Sequence, residues 1–517
     1  MRKRFTWFIG LLSVSVPARA AEPAAVRSFS IDDPPQGTFV DDWLEIYLGD
    51  EKAGYGNSTF TREGDEIISR MALTFRLARA GTEIKVGVTE TGREALDGTP
   101  GSFESVTDMS SLVSTLSGTI HDGKVIVSRC IGSGATTIPA PPETFDYPRG
   151  ALMSWGLYRR QHQLKPVEGL VEEVRAYAPS LRLDDAVTVR FKVGKRGLIE
   201  YRGNWVGATR VDQTFVGPAG EMTIVSWVDE RFEPLIIEYP IPGIGSLKLV
   251  TTDKASATKE FAAPEFFVPT IIRVERPIDR KAARKIVYRL GVTGKGDDLP
   301  ALPTTGLQKP CKHEGRTMEL TVERQDHAAI RAACEAADAG NIDPDVKPYL
   351  APSLQINSDD PAVIEMAKEA GGNEANKYVL ADKLRRYVTD EIKEKGLDVG
   401  FASASEVCRQ RRGDCSEHAV LLAALGRARG IPARVVVGLV YVPTFSGADD
   451  VFGFHMWTQF YLAGQWVDFD AAQRESDCNP THIALAVMTN TDTSMADAAF
   501  RMVPVMGRLK IDVLSIE

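Results

Sequence analysis

The sequence predicts an α+β protein, an antiparallel β-rich N-terminal region followed by a more helical C-terminal domain. Two textures carry this: short alternating apolar runs between turn signals up to about residue 262, and Ala/Leu-rich helical periodicity from about residue 359. A third observation bounds the rest. With 517 residues, 43% hydrophobic and 25% charged, the chain can bury several cores and is not globally disordered.

Taken in order, Met1-Arg2-Lys3-Arg4 is a positive start, Phe5 to Val16 an apolar stretch, and Ala18-Arg19-Ala20 a small-residue cleavage pattern. This predicts a signal peptide over 1–20, cut after Ala20, and an exported protein, periplasmic or secreted. Twelve apolar residues closed by Pro17 are short for a membrane span, and no later segment is long and apolar enough to be one. Removing the four basic residues of that segment leaves 57 basic against 70 acidic residues, a net charge of −13. Without a long basic run, nucleic acid is not an expected partner.

Residues 21–37 read as a linker rich in Ala and Pro. A β-rich domain is expected over 38–262, built from runs such as Trp43–Leu48, Ile84–Val88, Val187–Val193 and Glu221–Val228, as one large curved sheet or two smaller units. His121-Asp122-Gly123 should turn a hairpin. Pro139 to Pro148 reads as an irregular loop, and Arg149–Gln161 as a short helix. No catalytic constellation stands out here; the region is scaffold, or a surface for substrate or an envelope partner. Residues 263–355 are a mixed α+β segment or linker, with strands near Thr270–Val274, Lys285–Leu290 and Met318–Val322 and a helix over Asp326–Ala337.

The domain over 356–517 opens with Asp360-Pro361, an N-cap and first-turn pair. Asn373 is read as the cap of a helix from Glu374 to about Lys395, with Leu380, Leu384, Val388 and Ile392 on one face. A second helix spans Ser416 to Arg429 and is stopped by Gly430 and Pro432. Cys415 then sits at a helix N-terminus, where unpaired N–H groups and the positive dipole end favour a thiolate, the nucleophilic form. Asp414 is the natural N-cap, and Glu417 suits the first turn. Three strands should follow: Ala433–Tyr441, one opened by His455 after a Gly- and Asp-rich loop (Gly447 to Gly453), and Gln465–Asp470. A helix on three adjacent strands can bring Cys415, His455 and Asp470 together, as nucleophile, base and orienting acid. Asp468 is the fallback for Asp470, because residues two apart on a strand share a face. Trp457 and Trp466 either wall a substrate cleft or fill the core.

Gly413-Asp414-Cys415-x-Glu417-His418-Ala419, Gly430-Ile431-Pro432-Ala433-Arg434, His455-x-Trp457 and Trp466-Val467-x-x-Asp470 together resemble the transglutaminase-like superfamily in its bacterial secreted form. The resemblance covers about residues 360–480. It implies a papain-like fold, no cofactor, and acyl transfer through a thioester on peptide or protein amide bonds, as hydrolysis, as glutamine–lysine crosslinking, or with activity lost and binding retained. Hydrolysis is the simplest expectation for an exported enzyme in water. One departure stands out: Ala471-Ala472 follows the aspartate where the family commonly has Pro-Thr. Cys415-x-x-His418 with His455 and Asp470 could be imagined as zinc ligands, but no second Cys-x-x-Cys arm supports that, and no metal is expected. Of the other five cysteines, Cys311 and Cys334 are the first pair to consider for a disulfide, with buried free thiols as the alternative.

Overall fold

The computed structural model describes residues 29–517 apart from short breaks at 80–81, 110–111, 134–135, 140–141, 164–166, 181, 218–219, 242–244, 266–269, 295–297, 337–342, 354, 395, 397–401, 474–477 and 489–504. The expected signal peptide and residues 21–28 of the expected linker lie outside the described residues. Two compact units emerge: one runs to Ala78 and from Glu83 to Pro264, the other comprises Arg79–Thr82 and Glu265–Glu517.

The first unit is one 15-stranded sheet, and every pairing described in it is antiparallel. Two meanders are joined where the strand Gly37–Leu48 pairs with Gly245–Thr252, Trp43 opposite Thr252 and Leu48 opposite Leu247. The alternation read from the sequence puts Leu44, Ile46, Phe215, Ile237 and Tyr239 into one buried cluster. At the expected hairpin, Leu112–His121 pairs with Lys124–Ser133, and both turn residues, Asp122 (φ 49°) and Gly123 (φ 70°), adopt the left-handed backbone that a two-residue turn demands. The loop expected over 139–148 contains a strand instead: Glu143–Asp146 pairs with Lys124–Val127. The short helix is Ser154–Gln163, whose Trp155 and Tyr158 pack on Phe60.

In the second unit the elements are β1 (Ile272–Arg273), β2 (Lys285–Val292), β3 (Gln308–Glu314), β4 (Thr317–Glu323), α1 (His327–Ala336), α2 (Pro361–Gly371), α3 (Lys377–Glu391), α4 (Ala404–Gln410), α5 (Cys415–Ala428), β5 (Ala433–Phe445), β6 (Ala448–Leu462), β7 (Gln465–Phe469), β8 (His482–Val487) and β9 (Leu509–Ile516). One sheet has the order β1-β6-β5-β8, with β7 on β6; another has the order β3-β4-β2-β9. The segment 263–355 therefore shares its sheet with the far C-terminal strand, and Ile286, Tyr288 and Leu320 join the same core as Leu421 and Val436.

Asp360 caps α2 as expected, its carboxylate accepting from the Ala362 amide at 2.8 Å. The cap of α3 is Asn376 rather than Asn373: its side-chain oxygen accepts from the Tyr378 and Val379 amides. Leu380, Leu384, Val388 and Ile392 are buried. The loop expected over Gly447 to Gly453 shrinks to a turn at Ser446-Gly447, and β6 begins at Ala448, so His455 lies mid-strand. Helix α5 crosses β6 so closely that a Cβ on Gly426 would sit 2.1 Å from the Phe460 ring, which leaves glycine as the residue that fits. Among the described residues no helix is long and apolar enough to cross a membrane. None of the six cysteines is in a disulfide, Cys311 and Cys334 included.

Candidate functional site

Local chemistry at the start of α5 places the sulfur. Asp414 is the N-cap: its carboxylate accepts from the Ser416 amide at 2.7 Å, and Glu417 reaches back to accept from the Asp414 amide at 2.9 Å. This reciprocal box satisfies two helix-start donors and makes Cys415 the first helical residue. Gly413 has φ +145°, and a Cβ there would lie 2.4 Å from Glu417 Cβ, so the turn into the helix requires glycine. His418 donates from Nδ1 to the Asp414 carbonyl at 2.6 Å and so braces the same turn.

Glu417 is buried, and its pKa is pushed up to about 8, first by burial and then by the Asp414 charge. A carboxyl raised in the folded state binds its proton more tightly there than when unfolded. Its contribution to stability is full below about pH 4.5 and is lost as pH rises to about 8. Between those limits the C-terminal unit should lose on the order of a few kcal/mol. Glu417→Gln should flatten that slope in chemical denaturation run across the same range; an unchanged slope would show that Glu417 does not carry the proton.

His455 projects from β6 opposite Gly438 of β5. Its Nε2 donates to Asp470 Oδ2 at 2.7 Å, while the nearby Cys415 acts on the ring electrostatically. Burial pulls the imidazole pKa down, but Asp470 and Cys415 together outweigh it and lift it to about 10. Asp470 is fully buried, which by itself would raise its pKa. The charges and hydrogen bonds of His455 and His482 overcome this and hold it well below the ordinary carboxylate value.

All of Asp470's acceptor positions are engaged. Oδ1 accepts from the Ala472 and Gln473 amides at 2.8 and 3.1 Å; Oδ2 accepts from His455 and from His482 Nε2 at 3.1 Å. The donors come from residues 472 and 473, so Ala471 in place of proline leaves the carboxylate's anchoring intact. Thr389 of α3 also donates to the Ala471 carbonyl at 2.7 Å. Asp468 is occupied elsewhere: its Oδ1 accepts from Trp457 Nε1 at 2.7 Å and from Gln459 Nε2 at 2.8 Å. The register that pairs Gln459 with Asp468 makes the choice that residue parity could not.

Trp457 is only 1% exposed and stacks on His455 with ring centroids 6.2 Å apart, so it is core and backs the imidazole. Trp466 is half-buried beneath the Arg434 guanidinium, 4.0 Å from its ring centroid, and is flanked by Tyr349 and Tyr461. Of the two, only Trp457 is enclosed in the core; Trp466 stays partly exposed.

His482, at the start of β8, was not anticipated from the sequence. A lone histidine opening the apolar run Ile483-Ala484-Leu485-Ala486-Val487 gives no signal by itself. Among the described residues, His455, Asp470 and His482 are the group whose ligand atoms, all within 4.8 Å of one another, could hold a metal ion. Two ligands on a tetrahedral ion stand roughly 3.3 Å apart. The 2.7 and 3.1 Å contacts to Oδ2 are instead spaced for hydrogen bonds.

Residues 364–471 match the family model described as the transglutaminase-like superfamily. Among solved structures the chain is similar to a "Putative Cysteine Protease" from Cytophaga hutchinsonii, at 19% identity over 46% of this chain and 89% of that one, with a TM-score of 0.31. It is also similar to a "putative protease" from Parabacteroides distasonis, at 11% identity over 74% and 68% of the two chains, with a TM-score of 0.20. No curated protein matches the chain.

Proposed function

We propose that this protein is an exported thiol hydrolase that cleaves amide bonds of peptides or proteins, with Cys415 as nucleophile, His455 as base and Asp470 as the acid that orients it. The observation that carries the reading is the paired imidazole: His455 is bound to Asp470 at 2.7 Å, and the Cys415 sulfur is near enough to act electrostatically on the same ring. The imidazolium and the helix start both stabilise a thiolate. The sulfur attacks the amide carbon, and the Cys415 backbone N–H donates to the developing oxyanion. The C–N bond breaks as His455 delivers its proton to the leaving amine. Neutral His455 then takes a proton from water, whose oxygen attacks the thioester carbon; the acid product leaves and the thiolate returns. Water is the simplest acceptor for an exported enzyme, and the charged, apolar and small-residue segments of 1–20 support export.

The test is alkylation by iodoacetamide across pH with mapping of the modified cysteine, followed by hydrolysis of mixed peptides by wild type and Cys415→Ala. Cys415 should be modified first of the six cysteines near neutral pH, and the variant should release no new amino termini while keeping its fold. Incorporation of a labelled amine into glutamine-bearing protein would move the reading to crosslinking. An inert Cys415 would reduce the domain to a binding module.

A further inference from the structure

The second imidazole on Asp470 has no part in the mechanism just derived, yet it is buried as deeply as the residues that do. His482 has no exposed side-chain surface. Its Nε2 lies 3.1 Å from Asp470 Oδ2, and its Nδ1 lies 3.3 Å from the Asn479 carbonyl. The loop that delivers it is tied down, because the Thr481 amide and hydroxyl both donate to Asn479 Oδ1. Its backbone pairs with Val440 of β5, and its ring meets Trp457 edge-on at 5.2 Å.

Resting on the reading above, we propose that His482 is a positioning residue that keeps Asp470 ionised and aimed at His455 during the half of the cycle in which His455 is neutral. In the resting site the His455 imidazolium supports the buried carboxylate. Once the thioester has formed and His455 has given up its proton, the positive charge beside Asp470 is gone, and the sulfur no longer carries charge. Asp470 must stay anionic at this stage so that it can stabilise the imidazolium that re-forms as water attacks. The Nε2–H of neutral His455 still donates, and beside it remain the two amides on Oδ1 and the His482 donor on Oδ2. Among the described residues, the charged and titratable groups that act on this pair are His455 on β6, Cys415 on α5 beyond it, and Asp468 on β7, which feels both His482 and Arg434 of β5. A hydrogen bond to a carboxylate favours its ionised form, so the loss of this donor lets Asp470 take up a proton at higher pH.

p-Nitrophenyl acetate separates the two halves. The thiolate attacks the acetyl carbon, the C–O bond breaks and p-nitrophenolate leaves as a burst, after which the His455 imidazolium gives its proton to solvent. Water, losing a proton to neutral His455, then attacks the thioester; the C–S bond breaks and acetate is released in the steady state. His482→Phe should keep the burst rate within about threefold of wild type near pH 7.5. The acid limb of its steady-state rate should move up by about one pH unit. His482→Gln, whose amide nitrogen can reach the position of Nε2, should return that limb to the wild-type position. If the Phe variant does not fold, His482→Met, smaller and more adaptable, carries the same expectation. An unshifted limb overturns the proposal, as does an equal loss of burst and turnover at every pH, or a Gln variant that behaves like Phe or Met. A wild-type burst that survives Cys415→Ala is a different failure: it removes the thiol reading itself.

Discussion

Asp470→Asn should cost the C-terminal unit about 3–5 kcal/mol and slow the proposed Cys415-dependent hydrolysis by roughly 10³–10⁴-fold. Asp470 is a buried acceptor of four hydrogen bonds, two from backbone amides and two from imidazoles. Asparagine keeps the size but has one accepting oxygen and one donating nitrogen. With its oxygen toward the Ala472 and Gln473 amides, its NH₂ faces the two histidines, and His455 can meet it only by turning its lone pair inward. That tautomer presents a proton, not a base, toward Cys415. The opposite flip leaves two buried amides facing a donor, a loss of the same order. The pH dependence has a definite sign. A carboxylate whose pKa is depressed on folding contributes stability that is full above its unfolded value, about 3.9, and that disappears as pH falls through the lower folded value. Chemical denaturation should therefore show the full gap between variant and wild type at pH 5, closing only in stronger acid. Hydrolysis within tenfold of wild type would mean that Asp470 does not orient the base.

The way the site assembles explains which parts of it were legible. Asp414, Cys415 and Glu417 lie within one helical turn, and their capping chemistry is local, so the sequence displays it directly. His455 and Asp470 sit on neighbouring strands of one short meander, and the spacing of turns reveals their proximity. The choice between Asp468 and Asp470 was hidden because both project from the same face; it depends on which β6 residue each one meets. His482 was hidden for a different reason. It reaches Asp470 only because β8 pairs with β5, and nothing in the residues around it announces that pairing. The same limit applies at larger scale. The alternation in Gly37–Leu48 and in Gly245–Thr252 marks each as a strand, but two runs some two hundred residues apart give no local sign that they are neighbours. Asn373 and Asn376 are equally able to cap a helix; the second prevails, with the Glu374 carboxylate accepting its amide at 3.1 Å.

His455→Ala should change the shape of Cys415 alkylation as well as its rate. In the wild type the imidazolium persists to about pH 10 because Asp470 and Cys415 together overcome the cost of its burial. The sulfur then has a cationic neighbour throughout the neutral range, and its reaction with iodoacetamide should depend less steeply on pH than it does in the variant. Without the ring, ionisation is unassisted, and the rate should climb steeply from about pH 6 and level off only above about pH 8.5, the ordinary thiol value. Near pH 6 the variant should be slower by on the order of 10²-fold, the scale on which a positioned base normally acts. The same protonation leaves a mark on stability. A histidine whose pKa is raised on folding contributes fully below its unfolded value of about 6.5, and that contribution is lost as pH rises to about 10. Wild type should therefore lose stability relative to His455→Ala over that window, measured by chemical denaturation at a series of pH values. Parallel stability curves with parallel alkylation profiles would place the proton elsewhere, and would leave His455 as a packed ring beside Trp457 with no charge to share with the sulfur.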